Sequence, residues 1–184
     1  VNFPAGGEDP AAAAAAAAGA VADGVDEIDM VLPWRAVLRG EPAAAEAVLR
    51  AVRAAAPAPC RLKVILETGG LKRREAVEEA CRIALAGGAD FLKTSTGKVA
   101  QGATREAARV MLEAIRAGGA SVGLKVAGGV RSLADAAGYL ALADAVMGSQ
   151  WVTPSTFRFG ASGLLDALEA ALAGRAGEPG AAGY

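Results

Sequence analysis

Histidine is absent from all 184 residues of this chain. That excludes Ser-His-Asp and Cys-His mechanisms and every His-ligated metal site. Any proton moved in a reaction must pass through Lys, Asp, Glu, Tyr or water. Cysteine is scarce: Cys60 and Cys81 are the only two, too few for a disulfide framework. Cys81 sits in the helical pattern EEACRIALAG and reads as a small core residue. Charge of one sign is also missing, since 19 Lys+Arg against 20 Asp+Glu leave a net charge of −1. That balance offers no basic field for nucleic acid and no polybasic patch for a membrane. No apolar run approaches the ~18 residues that span a bilayer. The first residues lack the charged and apolar regions of a signal peptide. The expected location is the cytoplasm.

What is present is an alternation. At this length one domain is expected. VNFP reads as a strand ending at Pro4. Asp9-Pro10 marks a helix start, with Asp as N-cap and Pro at the first helical position. Gly24 closes that helix, and VDEIDMVLP follows as a strand. Pro42–Ala56 reads as a helix, RLKVILE as a strand, and Lys72–Ala86 as a helix ending at Gly87-Gly88. ADFLKTS is a strand, 97–103 a loop, and Thr104 caps a helix to about Ala117. SVGLKVAG is a strand, Ser132 caps a helix with Asp135 in the capping-box position, FRFGAS is a strand and 163–173 a helix. The Gly/Ala/Pro-rich segment 174–184 reads as a flexible tail.

Strands and helices thus alternate at a step of roughly 30 residues. The strands are near-continuous apolar runs, as expected when both faces are covered. The pattern predicts an α/β fold with a parallel sheet, either a closed barrel or an open doubly wound sheet. No G-x-G-x-x-G follows the first strand, which weakens a dinucleotide-binding reading. A (β/α)8 TIM barrel needs eight strands and typically about 250 residues. One partial and five full strands fall short by about two βα units. The expectation is therefore a partial barrel domain over 1–173, with the first two βα units missing and roughly 70 further residues encoded upstream.

Ionisable residues inside apolar strands carry the chemistry. Asp29 lies in EIDMVLP, Lys63 in LKVILE, Lys93 in FLKTSTGK and Lys125 in GLKVAGG. Lys93 and Lys125 would occupy neighbouring strands, roughly 5 Å apart. Two ammonium groups that close repel, and loss of one proton relieves them. A neutral lysine amine attacks carbonyls and forms a Schiff base. Asp29 can pair with the remaining ammonium and relay protons through water. The plainer alternative is an Asp–Lys pair that only neutralises itself. KTSTGK, VAGGVR and FGASG place Gly and hydroxyl residues just past strands, the last two at helix starts. Such turns suit a phosphate.

These segments resemble the deoxyribose-phosphate aldolase family, its longer bacterial type. The resemblance runs through VNFP, ADGVDEIDMVLPWRAVLRG, LKVILETGGL, GGADFLKTSTGKVAQGAT, VGLKVAGGVRS and FRFGASGLL, from Val1 to about Ala173. It implies a Schiff-base aldolase that reversibly cleaves 2-deoxy-D-ribose 5-phosphate to D-glyceraldehyde 3-phosphate and acetaldehyde, in deoxyribonucleoside catabolism. It implies Lys93 as the Schiff-base lysine, Lys125 as the lysine that lowers its pKa, and Asp29 as the proton relay. Phosphate-binding positions fall on Gly97, Lys98, Gly128, Gly129, Ser162 and Gly163. Gly163 stands where family members often carry a second serine, so one hydroxyl contact is lost. Lys63 and the terminal Tyr184 match auxiliary positions. No cofactor and no metal are implied, and the absence of histidine argues against the zinc-dependent aldolases. The expected partners are phosphosugar and aldehyde substrates, with no nucleic acid, no membrane and a homodimer compatible with the family. The alternatives are another Schiff-base phosphosugar aldolase or transaldolase, and a non-catalytic truncated fragment.

Overall fold

The structure is a computed structural model describing residues 1–119 and 121–174. The segment 175–184, with Tyr184 and nearly all of the expected tail, lies outside the described residues.

Five strands form one parallel sheet: β1 (Glu27–Val31), β2 (Arg61–Ile65), β3 (Phe91–Lys93), β4 (Gly123–Ala127) and β5 (Phe157–Gly160). Their spatial order is the chain order, β1-β2-β3-β4-β5. A doubly wound sheet reverses its strand order at a switch point, and this one does not. Side chains alternate across each strand. Ile28, Met30, Leu62, Val64, Leu92, Leu124 and Val126 point outward and are buried against the helices. Glu27, Asp29, Lys63, Phe91, Lys93, Lys125 and Arg158 share the other face through the strand register.

That second face is concave. In a flat sheet β1 and β5 would stand roughly 19 Å apart. Yet Arg158 on β5 donates to Glu27 on β1 at 2.7 Å. Sequential order, parallel pairing and this curl make the sheet an arc of a (β/α)8 barrel, with its inner face polar.

The main helices form where the sequence predicts, and their starts show why. Helix α1 (Pro10–Ala22) opens on Asp9, whose side chain accepts from the Ala11 and Ala12 N–H groups. In α6 (Arg105–Ala117), Thr104 accepts from Ala107 N–H, while Ala108, Met111, Leu112 and Ile115 lie on one buried face. The capping box of Ser132 and Asp135 opens α7 (Leu133–Met147). Helices α3 (Pro42–Ala55) and α5 (Arg74–Ala86) complete the outer layer, with α8 (Ser162–Leu172) following β5. Cys60 and Cys81 are free and buried.

Three details depart from the sequence reading. VNFP forms no strand. Asn2 has a φ of 57°, which breaks extension, and Pro4 has no N–H for a ladder. The segment still touches the edge of β1, because Val31 N–H donates to Val1 O and Asn2 donates to Val31 O. The helix expected from Lys72 starts at Arg74, since Lys72 has a φ of 61°. Two short helices, α2 (Trp34–Leu38) and α4 (Thr68–Leu71), fill turns after β1 and β2. Each is too short to show helical periodicity in sequence.

Candidate active site

Two of the catalytic candidates, Lys93 and Lys125, converge on the carboxylate of the third, Asp29, together with Lys63. Asp29 stands level with Lys63 in the register, and Lys93 level with Lys125. Lys63 Nζ donates to Asp29 Oδ1 at 2.7 Å, and Lys93 Nζ to Oδ2 at 2.5 Å. Lys125 Nζ reaches the same Oδ2 at 3.4 Å. Lysines from β2, β3 and β4 therefore surround an aspartate from β1. The curl of the sheet makes this possible, because β1 and β4 would be roughly 14 Å apart if flat.

Burial pushes the Asp29 carboxyl up. Hydrogen bonds from Lys63 and Lys93, with the charges of Lys93 and Lys125, outweigh burial and hold it well below the usual carboxylate range. The surroundings of Asp29 thus favour its charged form. Burial pushes the Lys125 ammonium below the ordinary lysine value, Lys93 and Lys63 push the same way, and Asp29 opposes them. Half-buried amines near one carboxylate form a place where a lysine can lose a proton and a neighbour can return it.

Beneath this level runs a second charged layer that sequence reasoning missed. Glu27 accepts from Arg158 and sits 2.9 Å from Lys63 Nζ. The Arg158 guanidinium also lies 4.6 Å from the centroid of the Phe91 ring. The Arg158 hydrogen bond is the largest cause holding the Glu27 carboxyl down, at about 2, against burial. Lys63 is thus shared between two carboxylates and is almost fully buried, at 5% exposure. The missed signal was parity: Glu27 is two residues before Asp29, and Arg158 is in register with Lys125.

The proposed phosphate positions gather at the C-terminal ends of β3, β4 and β5. Gly97, Gly128 and Gly129 have φ values of 78°, 86° and 85°, a region L side chains avoid. The loop after β3 packs on the turn after β4, where Ala103 N–H donates to Gly128 O at 2.9 Å. A Cβ on Gly102 would fall 2.5 Å from that same oxygen. Lys98 is exposed at the turn. Ser162 and Gly163 begin α8, whose N-cap Ala161 supplies no side-chain oxygen to the first N–H groups. Sequence reasoning also missed Glu67, which ends the LKVILE segment and is fully buried. An ionisable residue just past a barrel strand was the available signal.

Among the described residues no three His, Cys, Asp or Glu side chains are grouped to hold a metal ion, and no helix is long and apolar enough to cross a membrane.

Comparison with known proteins identifies the family. A family model described as DeoC/LacD family aldolase matches residues 2–181. The chain is 52% identical to a deoxyribose-phosphate aldolase of Agrobacterium fabrum strain C58, an alignment covering 100% of this chain and 71% of that protein. Two crystal structures from Toxoplasma gondii, both assigned as deoxyribose-phosphate aldolase, share its fold. One superposes with a TM-score of 0.82 at 29% identity, covering 95% of this chain and 69% of the other. The second, an apo form, gives 0.85 at 31% identity, covering 92% and 68%. The chain belongs to the DeoC/LacD family of aldolases.

Proposed function

We propose that this chain carries the active site of a class I aldolase that reversibly cleaves 2-deoxy-D-ribose 5-phosphate to D-glyceraldehyde 3-phosphate and acetaldehyde. The observation that carries the reading is the convergence of Lys93 and Lys125 on Asp29 Oδ2, at 2.5 and 3.4 Å. The motif FLKTSTGK assigns Lys93 as the nucleophile by its likeness to the family. Its Nζ attacks C1 of the open-chain sugar to give a carbinolamine, which loses water to an iminium. Asp29 and Lys125 shuttle the protons of that step through water. A base removes the proton of the 3-hydroxyl, and C3 becomes the aldehyde of glyceraldehyde 3-phosphate. The electron pair of the C2–C3 bond flows into the iminium and leaves an enamine. The bond broken is C2–C3, because the products have two and three carbons. Protonation of the enamine at C2 and hydrolysis release acetaldehyde and free Lys93.

The iminium is the electron sink, so the reaction as proposed uses no cofactor. The 5-phosphate is assigned to Gly97, Lys98, Gly128, Gly129, Ser162 and Gly163. Lys63 supports Asp29 rather than reacting. The charged substrate does not cross bilayers, which favours the cytoplasm as the working compartment. A homodimer is the proposed assembly, and the exposed Leu165, Leu168 and Leu172 of α8 form a face that a second copy would cover.

Trapping tests the assignment. Acetaldehyde with borohydride should leave one ethyl group on Lys93, located by peptide mapping. An adduct on Lys125 or Lys63 instead would overturn it. Cleavage of another phosphosugar with no use of acetaldehyde would overturn the substrate.

A further inference from the structure

Glu67 is 0% exposed and stands one turn beyond β2, outside the Asp29 cluster. Burying a carboxylate costs several kcal/mol unless it is paired or richly hydrogen-bonded. No lysine or arginine pairs with it among the described residues. Its partners are both on Thr96: the N–H lies 3.3 Å from each carboxylate oxygen, and the Oγ1 hydroxyl donates to Oε2. Thr96 Oγ1 in turn accepts from Lys98 N–H at 3.0 Å.

The Thr96 hydroxyl hydrogen points at Glu67 Oε2, which leaves the hydroxyl lone pairs for Lys98 N–H. Two N–H groups of the Thr96–Lys98 turn are then used internally. The Gly97 N–H, which makes no hydrogen bond within the described residues, and the Lys98 ammonium are left to face outward.

The backbone around Glu67 is shaped to the same loop. Glu67 has a φ of 57°, a conformation that costs about 1 kcal/mol or more outside glycine. Thr68 N–H donates to Thr94 O at 2.9 Å. A Cβ on Gly69 would fall 1.9 Å from Gln101 O, so only glycine lets the far end of the loop approach. The segment Glu67–Gly69 thus touches the loop after β3 near its start, middle and end.

We propose that Glu67 is a positioning residue for phosphate recognition, holding the Thr96–Lys98 turn through the Thr96 hydroxyl so that Gly97 N–H and the Lys98 ammonium present to the 5-phosphate. This rests on the substrate reading above. Cleavage kinetics with deoxyribose 5-phosphate and with unphosphorylated deoxyribose test it in the native chain and in Glu67→Ala, Glu67→Gln, Thr96→Val and Thr96→Ser. Glu67→Ala and Thr96→Val should raise KM for the phosphorylated sugar about tenfold or more, the scale of one lost hydrogen bond to a charged group. Their kcat, and kcat/KM for deoxyribose, should stay within about threefold, under 1 kcal/mol. Thr96→Ser should restore native behaviour and Glu67→Gln should fall between. Parallel loss on both sugars in folded variants, or a native KM in Thr96→Val, overturns the proposal. If Glu67→Ala does not fold, the Thr96→Val and Thr96→Ser pair decides. A native chain that cleaves neither sugar and takes no borohydride label sinks the substrate reading instead. Calorimetric titration with inorganic phosphate then decides Glu67 separately: weaker binding to Thr96→Val supports the proposal, and equal binding overturns it.

Discussion

Arg158 on the last strand and Glu27 on the first are joined by two hydrogen bonds from one guanidinium nitrogen, at 2.9 and 2.7 Å. The pair ties the two ends of the sheet across its concave face. It also holds a carboxylate beneath Lys63, whose ammonium then bridges upward to Asp29.

Acid stability should report this tie. Glu27 titrates at about 2 in the fold against an ordinary 4.5, so its contribution is present above pH 4.5 and lost as pH falls toward 2. Arg158→Met removes the largest cause of that shift. The Glu27 carboxyl should return toward 4.5, acid unfolding should begin at higher pH, and stability at pH 7 should fall by roughly 1 kcal/mol for this partly exposed pair. Urea unfolding across the acid range checks it; identical pH profiles for the two chains would mean that the tie is not felt.

Replacement of Asp29 by Asn separates its two effects. The charge that opposes the downward push on Lys125 disappears, so the Lys125 ammonium should titrate lower still. NMR titration of the lysine side-chain signals measures this. Loss of the proton relay should cost roughly a hundredfold or more in turnover. A Lys125 signal that moves upward, or unchanged turnover, contradicts the arrangement.

Gly129 has a φ of 85° and nothing within 4 Å of a Cβ built there. A Cβ alone would not collide, but a valine would force the turn out of its left-handed conformation. Gly129→Val should raise KM for deoxyribose 5-phosphate far more than for deoxyribose. Equal changes would place the phosphate elsewhere.

Two other glycines should move stability in opposite directions. Gly19 is exposed in the interior of α1 with nothing within 4 Å, so Gly19→Ala should stabilise by about 0.5–1 kcal/mol. Gly69→Ala meets a backbone carbonyl at 1.9 Å and should destabilise by about 2 kcal/mol or more. Thermal melts of both variants check the signs.

The strands and long helices were legible because their signals are local. Asp9, Thr104 and Ser132 cap helices in a way that three or four residues reveal. Asp29, Lys63, Lys93 and Lys125 stood out as charges in apolar runs. Their pairing was expected, but which lysine meets which oxygen of Asp29 was not legible: the contact of Lys125 with Asp29 depends on the curl of three strand intervals, which no local pattern encodes. Glu67 escaped because a Glu at a strand end reads as the start of a solvated turn, and its burial depends on a loop about thirty residues further on. VNFP misled for the opposite reason. Its composition suits a strand, but the left-handed Asn2 does not.

Because strand order follows chain order, the charged cluster is also a record of loop closures. Asp29 meets Lys63 across 34 residues, Lys93 across 64 and Lys125 across 96, while Glu27 meets Arg158 across 131. Chain entropy lost on closure grows with separation, by about 1 kcal/mol between the shortest and longest of these. Folding that proceeds unit by unit would bring the lysines to Asp29 in the order in which a ribosome makes them. In that order the Arg158 tie would come last, because its strand is the last of the five to be made.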